Sequence, residues 1–367
     1  YTKDTSALKI NQAFSVPLGQ IYKIEIIEKD KKRSSGSFVS AGLIIVGTVA
    51  AILVIAALTK SSCPFVSVFN GDQYVLQGEL FGGAVNPNLQ RRDYVPLDIK
   101  PFRGEYWLRI SNELKERQYT DYADLIFLEH QPDARAGMDA TGVPYLLSDP
   151  IAPIEASLNH NSDVVDLISQ ADSVSCTFND TTSISSLNDL YLSFPNPNAK
   201  HEGKLVLRLK NSYWFDYLYG EFMSNFGRRF NHWQKKQRHL PGEKMIQWTR
   251  EQQIPITVSI ATADGWKETF KLNSIGPLMD REVVIPLEWD KHQNDPVQVR
   301  LTTGFMFWEL NYAALDYTED QPVITTTLHP YSAMDETGQD VLAQLLQEDR
   351  QFLTQLETGN FATLKYK

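Results

Sequence analysis

Lys204-Leu205-Val206-Leu207-Arg208-Leu209-Lys210 places three leucines on one side of an extended chain and its charged residues on the other, because successive strand side chains point to opposite faces. The alternation predicts a half-buried β-strand. Comparable short runs follow at 256–260, 282–287, 297–301, 305–310 and 323–327. Others precede it. Residues 65–69 and 73–76 flank Asn70-Gly71-Asp72, a hairpin signal, since Asn-Gly tolerates positive φ and joins twisted strands tightly. Residues 106–110 and 124–130 add two more. Short strands at regular spacing with polar turns between them predict a mainly β chain. The expected architecture is two antiparallel β-sandwich or jelly-roll-like domains, 61–200 and 201–367, with a few packed helices.

Four segments lack this pattern. Residues 132–150, with Gly137, Gly142 and three prolines, read as a long surface loop. Residues 151–200 are rich in Ser, Asn and Asp and read as a linker with poor strand patterning. Between 214 and 239, Trp214, Phe215, Leu218, Tyr219, Phe222, Met223, Phe226 and Phe230 recur at helical spacing, and Pro241-Gly242 ends the segment, an aromatic helix or helix pair. A stripe of this kind is expected to face a core. A second amphipathic helix is expected over 340–356, closed by Gly359.

Upstream lies an uncharged run at 38–58, FVSAGLIIVGTVAAILVIAAL. About 20 apolar residues match the ~30 Å hydrocarbon core of a bilayer. Lys31, Lys32 and Arg33 precede it and Lys60 follows, as charged anchors do. The expectation is a small N-terminal segment over 1–37, with a strand at 21–27, and a transmembrane or membrane-associated helix over 38–60. A helix buried within a larger complex is the alternative. The chain begins at Tyr1 rather than Met, and a removed signal peptide is the common reason. The basic residues before the run favour a cytoplasmic side there, an orientation that a removed signal would contradict. Ser61-Ser62-Cys63 resembles a lipoprotein signal, weakened by Lys60.

The net charge of −10 argues against nucleic acid as a partner. The basic run over 228–238 reads as a solvated helix face. Cys63 and Cys176 are too few for a zinc site and form a candidate disulfide in an oxidising compartment. The sequence holds no H-E-x-x-H, EF-hand loop, G-x-S-x-G, Walker A loop or G-x-G-x-x-G. Asp133, Asp139 and Asp149 cluster around glycines, a weak calcium pattern. No catalytic, cofactor-binding or metal-binding residue is therefore assigned, no cofactor is expected, and the chain is read as not an enzyme. Seven tryptophans and sixteen tyrosines supply rings for stacking on sugars or anchoring protein interfaces. Trp266, just after Asp264-Gly265 in an expected turn, is the candidate ligand-binding residue. Trp308 is expected in the core.

Cys63-Pro64-Phe65-Val66, Asn70-Gly71-Asp72-Gln73-Tyr74, Gly82-Gly83-Ala84 and Arg92-Asp93-Tyr94 together resemble a group of uncharacterised bacterial envelope proteins. These carry a C-P-aromatic opening, a [DN]-G-x-x-Y hairpin and an R-x-D-Y motif downstream of an apolar helix. The likeness covers roughly residues 38–130 and carries over no catalytic residue. Residues 283–316, with Phe307-Trp308-Glu309-Leu310, are similar to the final strands of jelly-roll carbohydrate-binding modules. The expected function is a membrane-anchored accessory or scaffolding subunit of a bacterial envelope complex serving export, outer-membrane assembly or uptake. Its partners would be membrane lipid and other envelope proteins, with its body in the periplasm or on the cell surface. The alternatives are a glycan-binding envelope protein and a glycan hydrolase.

Overall fold

In the computed structural model, residues 64–80, 91–113, 117–182, 187–197, 199–229, 232, 241–289, 296–320 and 323–367 are described. They fall in one compact unit, Ala51–Lys367. The run at 38–58, the strand expected at 21–27 and Cys63 lie outside the described residues. Among the described residues no helix is long and apolar enough to cross a membrane.

The chain is mainly β and its sheets are antiparallel. In order, the first strands are β1 Phe65–Phe69, β2 Tyr74–Glu79, β3 Tyr106–Ser111, β4 Gln118–Thr120, β5 Leu125–Glu129, β6 Arg135–Met138, β7 Pro144–Leu147 and β8 Pro150–Ile151. Next come β9 Glu155–Leu158, β10 Ser162–Asp163, the short helix α1 Val165–Ile168, β11 Cys176–Thr177, β12 Leu187–Phe194 and β13 Glu202–Asn211. The helices α2 Tyr213–Ser224 and α3 Gly242–Glu251 precede β14 Ile256–Thr262, β15 Gly265–Leu272, β16 Arg281–Glu288, β17 Val297–Gly304 and β18 Trp308–Asp316. The chain closes with β19 Ile324–Leu328, β20 Ser332–Asp335, β21 Leu353–Gln355 and β22 Phe361–Tyr366.

A six-stranded sheet runs β10-β9-β12-β17-β14-β15, and a five-stranded one runs β11-β18-β13-β16 with β8 beside β18. Leu190, Leu192 and Phe194 of the first meet Leu205, Leu207 and Leu209 of the second in one buried cluster. A separate five-stranded sheet, β2-β1-β3-β22-β20, covers a second cluster built on Val68, Leu108, Ile110 and Leu364. Strands from either side of residue 200 pair with one another: β12 pairs with β17, and the last strand β22 pairs with β3. The two clusters are tied by Arg281, which donates to the Glu79 carbonyl and to Asp93 at 2.6 Å, and by Arg91, which donates to the Ser274 carbonyl at 2.7 Å.

Several expectations are corrected. At its centre β13 is buried on both faces, not one: Val206, opposite the leucines, packs with Val284 and Leu147. The reason is the β6–β7 hairpin, which turns the expected surface loop at 132–150 into a cover for that face. Gly137 permits the approach, since a Cβ there would stand 2.5 Å from the Val284 side chain. Residues 151–200 are sheet rather than linker. Their pattern was masked because inward positions of β12 begin with Asn188, whose amide satisfies the backbone of Asp180. No helix spans 340–356. Val341 and Leu345 are buried by a 3-10 turn, Leu342–Gln344, and the chain then extends into β21 against β4. Pro241-Gly242 opens α3, a position where the missing proline N–H costs nothing; residues 233–240 before it lie outside the described residues. Of the stripe expected to face a core, Phe215 is buried, but Trp214 and Leu218 are exposed, as are Tyr213 and Tyr217 beside them. Residues 305–307 form a turn, and the strand begins at Trp308, which is fully buried and donates to the Ile254 carbonyl at 2.7 Å.

Candidate functional site

With leucine, valine and phenylalanine turned inward, the six-stranded sheet turns a polar and aromatic set outward. On β12 these are Asp189, Tyr191 and Ser193; on β17, Gln298, Arg300 and Thr302; on β9, Glu155 and Ser157. The register aligns Glu155, Ser193 and Gln298 in one row and Ser157, Tyr191 and Arg300 in the next. Trp266, the second residue of β15, is opposite Ala261.

Tyr191 and Trp266 stand three strand spacings apart, about 14 Å between backbones, yet their ring centroids are 5.7 Å apart. The indole therefore lies back across the sheet. It can do so because the outward residues of the intervening β14 are small, Ser259 and Ala261. On the way it crosses Arg300, whose guanidinium carbon is 4.9 Å from the ring centroid, a favourable cation–π distance. Asp189 balances that charge at 4.0 Å and accepts hydrogen bonds from Thr302 and, at 3.4 Å, from the Tyr191 hydroxyl. Burial, with the Asp189 charge behind it, raises the Tyr191 pKa, so the phenol keeps its proton at neutral pH and remains a donor.

On the other side His160 stacks on Tyr191, centroids 3.8 Å apart and planes 20° apart. It is carried by the β9–β10 turn, where Asn159 and His160 both have positive φ, 49° and 59°. A two-residue turn of that kind suits Asn at its first position and usually Gly at its second. The turn is held by Asn159, which accepts the Asp189 N–H and donates its own to the Asp189 carbonyl, both at 2.7 Å. A non-glycine residue kept at positive φ is a strain that functional sites retain. Here it sets an imidazole on the tyrosine.

These residues enclose a cleft of about 260 Å³, lined by Trp266, Tyr191 and His160 together with Glu155, Ser157, Ser193 and Gln298. Rings offer flat apolar faces. The carboxylate, amide and hydroxyls offer donors and acceptors fixed by a rigid sheet.

The other candidates are placed elsewhere. Cys176 is a free thiol in the main core, its pKa pushed up to about 11 by burial, which leaves it a protonated, inert group. Its candidate partner Cys63 is outside the described residues. Asp139 is engaged in closing the β6–β7 turn, accepting the N–H groups of Thr141 and Val143 at 2.8 and 3.0 Å. Among the described residues no group of three or more His, Cys, Asp or Glu comes together to hold a metal ion. A separate buried carboxylate, Asp124, accepts from Tyr122 and bonds His329 Nδ1 at 2.8 Å. Desolvation, then that hydrogen bond, pushes Tyr122 up to about 12.

No family model matches this chain, and no curated protein does. Among solved structures, the cycloalternan-forming enzyme from Listeria monocytogenes, in complex with its pentasaccharide substrate, is similar at 6% identity and a TM-score of 0.22. The match covers 68% of this chain and 22% of that one. A likeness at that score carries nothing about fold or activity.

Proposed function

We propose that the outward face of the six-stranded sheet binds a carbohydrate, and that the two sheets sharing the main core form a jelly-roll-like sandwich that presents it. The observation carrying this reading is the cross-strand gathering of Trp266, Tyr191 and His160 beside Glu155, Ser157, Ser193 and Gln298. A sugar ring has an apolar C–H face and a rim of hydroxyls that both donate and accept. A rigid aromatic platform with fixed polar groups matches both. Glu155 is the one carboxylate among the lining residues, whereas glycoside hydrolysis uses a pair ~5–10 Å apart. The binding reading needs no second one and treats the chain as non-enzymatic. The uncharged run at 38–58 and the envelope-group motifs support a bacterial envelope setting with a membrane tether. A glycan array tests the proposal. Binding that disappears in Trp266→Ala supports it, and a blank array with folded protein removes it.

A second reading, an accessory subunit of an envelope complex, is supported by the outer face of the sheet built on β1, β3 and β22. There the Arg109 guanidinium lies between Tyr74 and Phe361, 3.8 and 4.1 Å from their centroids, and Lys365 lies 4.2 Å from Trp107. Aromatic and arginine side chains are the usual anchors of protein interfaces. Co-purification from native membranes of a partner that Arg109→Ala and Trp107→Ala release would favour it. A clean monomer in gentle detergent would not.

A further inference from the structure

We infer that the cleft on the six-stranded sheet selects an amino sugar, a carbohydrate bearing a protonated amine. This rests on the carbohydrate reading above and adds to it the charge of the ligand. The register places four acids on the outward face of that sheet, Glu155, Asp163, Asp189 and Glu268, against two bases, Arg300 and Lys271. Both bases are already answered. Arg300 Nε stands 4.0 Å from Asp189 Oδ1, and Lys271 Nζ stands 2.9 Å from Glu268 Oε2. The surplus is therefore negative. Asp163 uses its Oδ1 to accept the Val165 N–H at 3.1 Å. Glu155 has no hydrogen bond or ion pair among the described residues, and it is the acid that lines the cleft. The lining holds no Lys or Arg.

An unanswered carboxylate beside a concave site draws cations in and turns anions away, and a net charge of −10 adds a field of the same sign. Its position gives the effect a direction. Glu155 faces Ser193, and Ser157 faces Tyr191, so Glu155 and Tyr191 are diagonal neighbours on paired strands. Such pairs have their Cβ atoms about 7–8 Å apart. A sugar ring stacked on Tyr191 and Trp266 thus has one edge beside the Glu155 carboxylate. Ser193 and Gln298, in the same row as Glu155, remain for the neighbouring hydroxyls. An ammonium at that edge gains an ion pair, and a hydroxyl there gains a hydrogen bond to a charged acceptor. A uronic acid brings a second carboxylate against the first. The aromatic faces favour the same order, since a ring attracts a cation. Affinity should fall from amine to hydroxyl to carboxylate.

The test titrates the full chain with β-1,4-linked oligosaccharides of equal length: glucosamine, glucose and glucuronate, and the three galacto-configured counterparts. The buffer keeps the amine protonated and the carboxylate ionised, and binding is read as a response that Trp266→Ala abolishes. The amino form should bind more tightly than the neutral one by up to about fivefold, the range of an exposed ion pair. The acidic form should bind most weakly. Added salt should narrow the gap, because it screens the pair. Glu155→Gln should bring the amino and neutral forms to equal affinity, with unchanged thermal unfolding. Equal affinities in the wild type, a preference that survives in Glu155→Gln, or tightest binding of the acidic form would overturn the inference and leave the carbohydrate reading standing. A glycan array whose Trp266-dependent hits are all neutral or acidic would do the same. No Trp266-dependent response to any sugar would remove both.

Discussion

Gly276→Ala is expected to be among the most damaging single-methyl changes in this chain, and the structure says by how much. Gly276 has φ +127°, and an ideal Cβ would stand 2.2 Å from Glu79 Oε1 and 2.3 Å from its Cδ. The backbone cannot swing aside. Its carbonyl accepts the Asn211 N–H at 2.8 Å, and its N–H donates to Asn211 Oδ1 at 3.0 Å. The carboxylate is equally held, since Glu79 is buried and Oε1 accepts the Leu278 N–H at 2.7 Å. Positive φ in a non-glycine residue costs about 1–3 kcal/mol. Displacing Oε1 and leaving a buried N–H unpaired adds about 1–3 kcal/mol. Gly265→Ala is the control: its φ is +113° and nothing lies within 4 Å of the added methyl, so it carries the strain alone. Urea unfolding with unchanged m-values measures both. The expected result is a loss of ~3–5 kcal/mol for Gly276→Ala and ~1–2 kcal/mol for Gly265→Ala, with part of the difference recovered when Gly276→Ala is combined with Glu79→Ala. Equal losses, or no coupling to Glu79, would refute the clamp between the two cores.

Val206→Ala should cost about 2–3 kcal/mol by chemical unfolding, because both faces of β13 are covered there; a loss under about 0.5 kcal/mol would return β13 to a half-exposed strand. His160→Gly should stabilise the β9–β10 turn by up to about 1 kcal/mol, since glycine suits its φ of 59°, while weakening carbohydrate binding; unchanged affinity would remove His160 from the site. Tyr122 has its pKa raised by folding from 10 to about 12, so the folded state holds the proton that the unfolded state gives up. Its contribution is complete below pH 10 and is lost as the pH rises toward 12. Alkaline unfolding should therefore be shallower in Tyr122→Phe, and an identical pH profile would contradict the assignment.

Much of the sheet was legible because burial on one face writes itself as alternation. β1, β3, β14 and β17 were found that way, and Asn70 fixes the first hairpin as its dipeptide implied, accepting the N–H groups of Asp72 and Gln73 at 3.0 and 2.9 Å. Alternation fails where a strand is covered twice, as at Val206, or where a polar side chain turns inward and is satisfied, as at Asn188. Helical spacing misled in two opposite ways. The apolar residues over 341–353 are buried by a turn and a strand. Those of α2 form a genuine helix, on which Phe215 is buried while Trp214 and Leu218 are exposed. Of the cleft, Trp266 was visible as an aromatic residue next to Asp264-Gly265. Tyr191 and His160, and the Arg300 that Trp266 crosses, were not, because their meeting depends on strand order and register, which pair Tyr191 with Arg300 across more than a hundred positions. The one local signal was Asn159-His160 between Leu158 and Asn161, a two-residue turn with an unusual second member.

Proton–nitrogen NMR of the tryptophan indoles during titration with a panel of oligosaccharides tests the carbohydrate face most directly. The Trp266 indole resonance, assigned by its loss in Trp266→Ala, should shift and saturate with one class of sugar. The Trp308 resonance, buried on the Ile254 carbonyl, should stay in place. Saturable shifts confined to other tryptophans, or none with any sugar, would contradict the account.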